Sequence, residues 1–397
     1  MSFFKDQSGY LKDYNIPLLE RILRFNYVYL LFICLVVMLG IFVLYSIDKA
    51  HFMPYFDGGK QVFPYSLRQL MRFGVSFGFL VVLAMMNLRL LMKYAYVIYG
   101  ISLGLLVLVS LFGHTGMGAQ RWLNLGIVML QPSEVMKIAL VLALARYFHG
   151  ANIQEIRSFR FIIPPALMMG VPVLFILKQP DLGTATMLVF VTGAIFYLVG
   201  VQVWKFLLLI SAVTLSFPVI WSFLHDYQKR RILTFLNPEG DPTGAGYHIT
   251  QSKITLGSGG LFGKGFLQGT QSRLSFIPEK QTDFILTVLC EEFGLIGALI
   301  LCILYMIIIG FGFMIAHRCI SFFGKILAIG LTINFALYAF INMAMVMGLM
   351  PVVGVPLPLM SYGGTALLTL FIGFGMIECV HINREMVIGR RGSIDDE

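Results

Sequence analysis

The chain has 397 residues, of which 58% are hydrophobic and 12% are charged, and its mean hydropathy is +0.83. A charged fraction about half the usual ~25%, with that much apolar surface, excludes an ordinary soluble protein and calls for lipid. The net charge of +9 does not imply nucleic acid, because Lys and Arg punctuate apolar stretches instead of forming a basic run interleaved with aromatics.

A helix needs about 20 apolar residues to cross the ~30 Å hydrocarbon layer. Ten stretches meet or approach this: 25–47, 67–86, 90–112, 130–148, 161–177, 182–199, 204–224, 284–316, 326–347 and 365–381. The first follows a charged segment, is too long for a signal-peptide core and has no small-residue cleavage pattern behind it, so it reads as a retained span. The predicted fold is an all-α polytopic membrane protein of ten transmembrane helices, with a large extracytoplasmic loop between helices 7 and 8. Its parts are a cytoplasmic N-terminal segment (1–24), a ten-helix membrane domain (25–384, loop about 225–283) and a cytoplasmic tail (385–397). Ten spans leave both termini on one side. With that side cytoplasmic, the short loops there carry Arg89, Lys93, Arg146, Arg157, Lys205 and Arg318, as the positive-inside rule requires.

Polar residues within or beside spans need partners or a watery cavity. After Arg121-Trp122 comes Gln131-Pro132-Ser133-Glu134-Val135-Met136-Lys137, where proline suits a first helical turn and Glu134 shares a helix face with Lys137. The two read as a structural ion pair or as a functional one. Gln179-Pro180-Asp181 opens the sixth span, and Asp181 reads as a helix cap or as a ligand.

The long loop holds nine glycines between Gly240 and Gly269, which alone would suit a flexible connector. Tyr247, Ile249, Ile254, Leu261, Phe262 and Phe266 recur through it, however, and predict a loop folded against the membrane surface. At its end Asp283 enters the eighth span. A helix macrodipole favours its carboxylate while burial favours the neutral acid, and the two effects oppose. Glu291 and Glu292 follow, eight and nine residues on and about 12 Å deeper by helical rise. One of them is expected to pair across the bundle. Between Pro351 and Gly364, three prolines and three glycines interrupt an apolar segment, which reads as irregular backbone buried in protein or lining a cavity. The five cysteines and seven histidines show no metal-ligand or redox spacing, and the cysteines read as packing residues.

In order along the chain, Arg121-Trp122, Gln131-Pro132-Ser133-Glu134, Gln179-Pro180-Asp181-Leu182-Gly183-Thr184, Gly244-Ala245-Gly246-Tyr247, Thr282-Asp283-Phe284, Glu291-Glu292 and Ser361-Tyr362-Gly363-Gly364 resemble the SEDS family of polytopic peptidoglycan polymerases. Gln251-Ser252-Lys253-Ile254, Gly257-Ser258-Gly259-Gly260 and Pro351-Val352-Val353-Gly354-Val355-Pro356 look like its RodA branch.

The resemblance implies a multi-pass protein of the cytoplasmic (inner) membrane that polymerises lipid II into glycan strands on the outer face during cell elongation. The 4-hydroxyl of one lipid-linked disaccharide attacks the anomeric carbon of another and displaces undecaprenyl pyrophosphate. It implies a class B penicillin-binding protein and the elongation machinery as partners, and an essential acid at Asp283. The candidate substrate-binding residues are then Arg121, Glu134, Lys137, Asp181, Lys280, Ser361 and Gly363. No metal motif is present, and assistance by a divalent cation stays open. A lipid II flippase without chemistry is the alternative, separated by whether the polar groups gather on one face; a scaffold for the penicillin-binding protein is a third reading.

Overall fold

The computed structural model describes residues 17–49, 55–57, 60–116, 119–124, 129–216, 218, 221–222, 226–237, 240, 244–273 and 279–389. Most of the expected N-terminal segment and tail (1–16 and 390–397) therefore lies outside the described residues.

After a short helix α1 (Leu18–Leu23) come α2 (Tyr27–Lys49), α3 (Tyr65–Ala84), α4 (Leu88–Phe112), α5 (Pro132–His149), α6 (Ile153–Arg157), α7 (Phe159–Lys178), α8 (Leu182–Val199) and α9 (Val203–Leu215). The long loop contributes α10 (Asp226–Leu236), α11 (Ala245–Ser258) and α12 (Thr270–Arg273), and α13 (Ile285–Arg318), α14 (Phe322–Val346) and α15 (Gly364–Ile382) complete the bundle. Eight of these, α2, α3, α4, α7, α8, α13, α14 and α15, are long and apolar enough to cross a membrane, so the chain is a multi-pass membrane protein. The other two expected spans differ in kind. Helix α5 has 18 residues, about 27 Å, and carries Glu134, Lys137 and Arg146, while α9 is described over only 13 residues.

The composition of each helix sets its place. Helix α5 is buried on nearly every side, as α14 and α15 largely are, whereas α3, α4, α7 and α9 leave residues such as Val75, Leu108, Leu167 and Leu207 exposed for lipid. Where α2, α13, α14 and α15 meet, Tyr29, Tyr305, Phe335, Phe371 and Phe374 interlock, with ring centroids 5.3 to 6.3 Å apart and mostly edge to face.

Two small antiparallel sheets were not legible in the sequence. One pairs β1 (Tyr55–Asp57) with β2 (Lys60–Val62); the other orders β3 (His114–Gly116), β4 (Ala119–Asn124) and β5 (Met129–Leu130). Arg121 and Trp122 stand on β4, the middle strand.

The long loop is a folded element. Buried Ile249, Ser252 and Thr255 face the bundle from α11, and Ser252 Oγ donates to the Val346 carbonyl at 2.6 Å. The expected continuous helix beyond Asp283 is corrected: Gly294 (φ 66°, ψ −159°) divides α13 into a short buried helix and a long one. The loop caps the break, with the amides of Lys264 and Gly265 donating to the carbonyls of Glu291 and Glu292, and those of Leu295 and Ile296 to Gly260 and Leu261. Both acids lie in the short helix ahead of the break and are held there by polar contacts. Glu291 takes Lys264 Nζ at 2.8 Å and the amides of Gln271 and Ser272, and Glu292 accepts from Ser46 of α2.

A side chain at position 294 would require a backbone conformation nearly confined to glycine and would press on the Leu261 carbonyl. Gly294→Ala is expected to cost at least about 1 to 3 kcal/mol, read as a lower thermal-unfolding midpoint in detergent. An unchanged midpoint would show that this junction does not hold the loop.

Candidate active site

Thr282, Asp283 and Phe284 close the long loop against the irregular segment 351–363, which is buried in the bundle at Val353, Val355, Leu357, Leu359 and Met360. Several polar ties fix this contact. Asn342 on α14 donates from one amide nitrogen to the carbonyls of Asp283 (2.8 Å) and Val355 (2.7 Å). Ser361 Oγ donates to the Thr282 carbonyl and accepts from the Leu357 amide at 2.8 Å, and the Tyr362 amide donates to the Gln281 carbonyl at 2.9 Å. Asp283 thus has its backbone held on both sides while its carboxylate lies over Gly354 (φ 73°), where an added Cβ would sit 3.5 Å from Oδ2.

Burial, and after it the charge of Glu279, pushes the Asp283 carboxyl up from 3.8 to about 6, against the opposing pull of Arg121 and Arg231. Of the two effects opposed in the sequence, burial wins. The result is an acid that is ionised at neutral pH yet basic enough to take a proton.

Arg121 donates from Nε to the Gln179 carbonyl at 3.0 Å and from its guanidinium to the Pro180 carbonyl, pinning the start of α8 beside the sheet. Asp181 caps that helix, accepting from the Thr184 amide (3.3 Å) and hydroxyl (2.9 Å), and also takes Gln131 Nε2 at 3.3 Å. Its charge acts on both Asp283 and Lys137. Lys137 Nζ lies 2.6 Å from Glu134 Oε1, both residues are buried, and Tyr338 of α14 bonds to both. Thr369 of α15 reaches Glu134 at 3.4 Å. From Asp283 inward, alternating charges therefore run through Arg121 and Asp181 to the buried Lys137–Glu134 pair.

The family model described as cell cycle protein, FtsW/RodA/SpoVE, matches residues 26–386. The chain belongs to this family. It is 44% identical over 336 residues to the peptidoglycan glycosyltransferase MrdB of Escherichia coli K12, covering 81% of this chain and 86% of that one. It is 36% identical over 318 residues to the protein of the same name from Helicobacter pylori (79% and 82% covered). Among solved structures it resembles the rod shape determining protein RodA of Thermus thermophilus, with a TM-score of 0.67, 27% identity, and 91% and 98% of the two chains covered. A chain from a structure titled for the coordination of polymerization and crosslinking by a peptidoglycan synthase complex gives a TM-score of 0.77 at 28% identity, covering 91% and 98%.

The expected site residues fall into four groups in this family member. Arg121 and Asp181 act electrostatically on Asp283, and Glu134 with Lys137 forms the buried pair behind them. Ser361 spends its hydroxyl on holding the loop, and the Gly363 amide meets Gln69 Oε1 at 3.5 Å, so both support the segment that carries Asp283. Lys280 donates to the Ser272 carbonyl and feels the charge of Glu291, and burial holds its ammonium below the usual lysine range. Sequence reasoning missed Arg231, Asn342, Tyr338 and Thr369. Arg231 had a signal in the basic run Lys229-Arg230-Arg231, and Asn342 in being an amide within an apolar stretch; Tyr338 and Thr369 had none.

Proposed function

We propose that this chain is a peptidoglycan glycosyltransferase that polymerises lipid II, with Asp283 as the general base. The observation that carries the reading is the Asp283 carboxylate, titrating near 6 within the fields of Arg121, Arg231 and Asp181, at the seam of a loop and a membrane bundle. The curated relatives at 44% and 36% identity, both called peptidoglycan glycosyltransferase, support it independently.

In the proposed reaction Asp283 accepts the proton of the 4-hydroxyl of one lipid-linked disaccharide as that oxygen bonds to the anomeric carbon of another. The bond to pyrophosphate breaks in the same displacement. Pyrophosphate leaves as a stable anion, so one base suffices where a retaining glycosidase needs two carboxyls. Arg121 and Arg231 supply positive charge beside the acid for the departing group. Lys280, which donates to the Ser272 carbonyl, serves the loop that carries Asp283.

In this reading the Asp283 end of the bundle faces outward, both termini are cytoplasmic, and ten spans include α5 and α9. The partner is a class B penicillin-binding protein, a pairing supported by the polymerization and crosslinking named for the similar complex. The flippase alternative requires polar groups open in turn to both faces, whereas the charges beside Asp283 gather at one end. The deciding assay incubates purified protein, with and without that partner, with lipid II and separates the products on a gel. Glycan ladders are expected; lipid II movement across liposomes without ladders would overturn the reading.

A further inference from the structure

The first turns of α3 carry two cations that the site described above does not use. The Arg68 guanidinium lies 4.8 Å from the Tyr65 ring centroid and 5.1 Å from that of Tyr362, and Arg72, one turn on, lies 4.3 Å from the Tyr362 ring. The two rings meet edge to face at 4.9 Å, so together they form one aromatic wall under both cations. An added Cβ on Gly364 would come within 3.2 Å of Arg72 Nε, and its absence is what lets Arg72 reach this wall.

Neither arginine has a carboxylate partner among the described residues, unlike Arg24, Lys137 and Lys264. The acids close by are engaged: Asp48 accepts the amides of Tyr65 and Ser66 at 3.0 and 2.8 Å, and Glu279 accepts from Thr282 Oγ1 at 3.0 Å. Arg68 Nε is buried with no hydrogen-bond partner among the described residues. A guanidinium stacked on a ring has its face covered and keeps its in-plane N–H edge for an anion, the geometry that suits phosphate oxygens. Two such groups held one helical turn apart repel each other unless an anion lies between them.

Position gives this pair its meaning. Tyr362 and Ser361 are the residues bonded to Gln281 and Thr282, immediately before Asp283. Gln69, between the two arginines in sequence, donates to the Ser361 carbonyl at 3.0 Å. A catalyst that joins two lipid-linked sugars must seat two diphosphates, and Arg121 and Arg231 come from other elements of the fold. We propose that Arg68 and Arg72 form a second diphosphate-binding site, which holds one of the two polyprenyl-diphosphate-linked substrates beside Asp283. The inference rests on the polymerase reading.

The test uses the full chain in phosphatidylcholine nanodiscs and measures the stoichiometry and affinity of undecaprenyl diphosphate, with thermal unfolding as the check on folding. Wild type is expected to bind two equivalents. Arg68→Gln/Arg72→Gln is expected to keep one and to lose affinity for the other by about tenfold or more, as for the loss of a charge-assisted hydrogen bond. Arg72→Lys, which keeps the charge and the fold but loses the planar fork, is expected to fall between, and it carries the test if the double variant unfolds. Two equivalents bound with unchanged affinity in both variants would overturn the site. Competition separates the sources of phosphate: inorganic pyrophosphate is expected to displace the second equivalent, whereas displacement by phosphatidylglycerol at equal mole fraction would overturn the assignment in favour of an anionic-lipid headgroup site. The gel assay on the same wild-type sample separates the two claims. Ladders with unchanged variant binding sink only the second site, and absent ladders with variant-sensitive binding sink only the polymerase reading.

Discussion

Asp283→Asn is expected to abolish most glycan synthesis, by about 10² to 10⁴ in rate, while making the protein more stable at neutral pH. The rate loss follows from removing a positioned base whose replacement takes no proton. The stability gain follows from its titration. Folding raises the carboxyl from 3.8 to about 6, so the folded chain holds the proton more tightly than the unfolded chain does. Such an acid stabilises the fold at low pH, and that contribution is lost as pH rises from 3.8 to about 6; above this range the ionised group costs at most about 3 kcal/mol. Asparagine removes that cost. The expected result is a higher unfolding midpoint at pH 7.5, with a smaller difference at pH 4.5. Wild-type polymerisation should itself fall as pH drops through about 6. Wild-type ladders from Asp283→Asn would remove it from the mechanism, and an unchanged midpoint would show that its burial is relieved by water or a bound cation.

Glu134→Gln is expected to be damaging by a different route. Lys137 and Glu134 are both buried, and Lys137 has Tyr338 as its only other hydrogen-bond partner among the described residues. Breaking a buried pair from one side leaves an uncompensated charge and costs about 3 to 5 kcal/mol, while replacing both members with apolar residues of similar volume is often neutral. The single variant should therefore show a markedly lower unfolding midpoint, and Glu134→Leu/Lys137→Met should recover much of it. Activity separates structure from function: the double variant should remain impaired in the gel assay, because the charge of Asp181, which acts on Asp283, loses Lys137 as its inner neighbour. Full activity in the double variant would reduce the pair to a structural tie. Full stability in the single variant would show that water reaches Lys137.

How much of this was legible depended on whether the deciding interaction was local. Glu134 and Lys137 are three residues apart behind a helix-starting proline, and Asp181 is three residues before Thr184, so helical geometry alone brought each to its partner. The break at Gly294 was hidden inside an apolar run that reads as one span, because its cause is the docking of Gly260 to Gly265 from a loop about thirty residues earlier. Arg68 and Arg72 fall inside the second expected span, 67–86, and sequence reasoning singled out neither. Their neighbour Tyr362 lies about 290 residues away, and no local pattern carries that contact.

The interlocked rings of Tyr29, Phe335, Phe371 and Phe374 lie along α15 between Thr369, which touches Glu134, and Glu378, whose carboxylate meets the Asn26 amide at the other end. An array of ionisable groups entering a bilayer is a hazard to a cell that stores energy as a proton gradient, since a relay continued across would short-circuit it. Among the described residues no hydrogen bond crosses this aromatic layer to join the Thr369–Glu134 contact to Glu378.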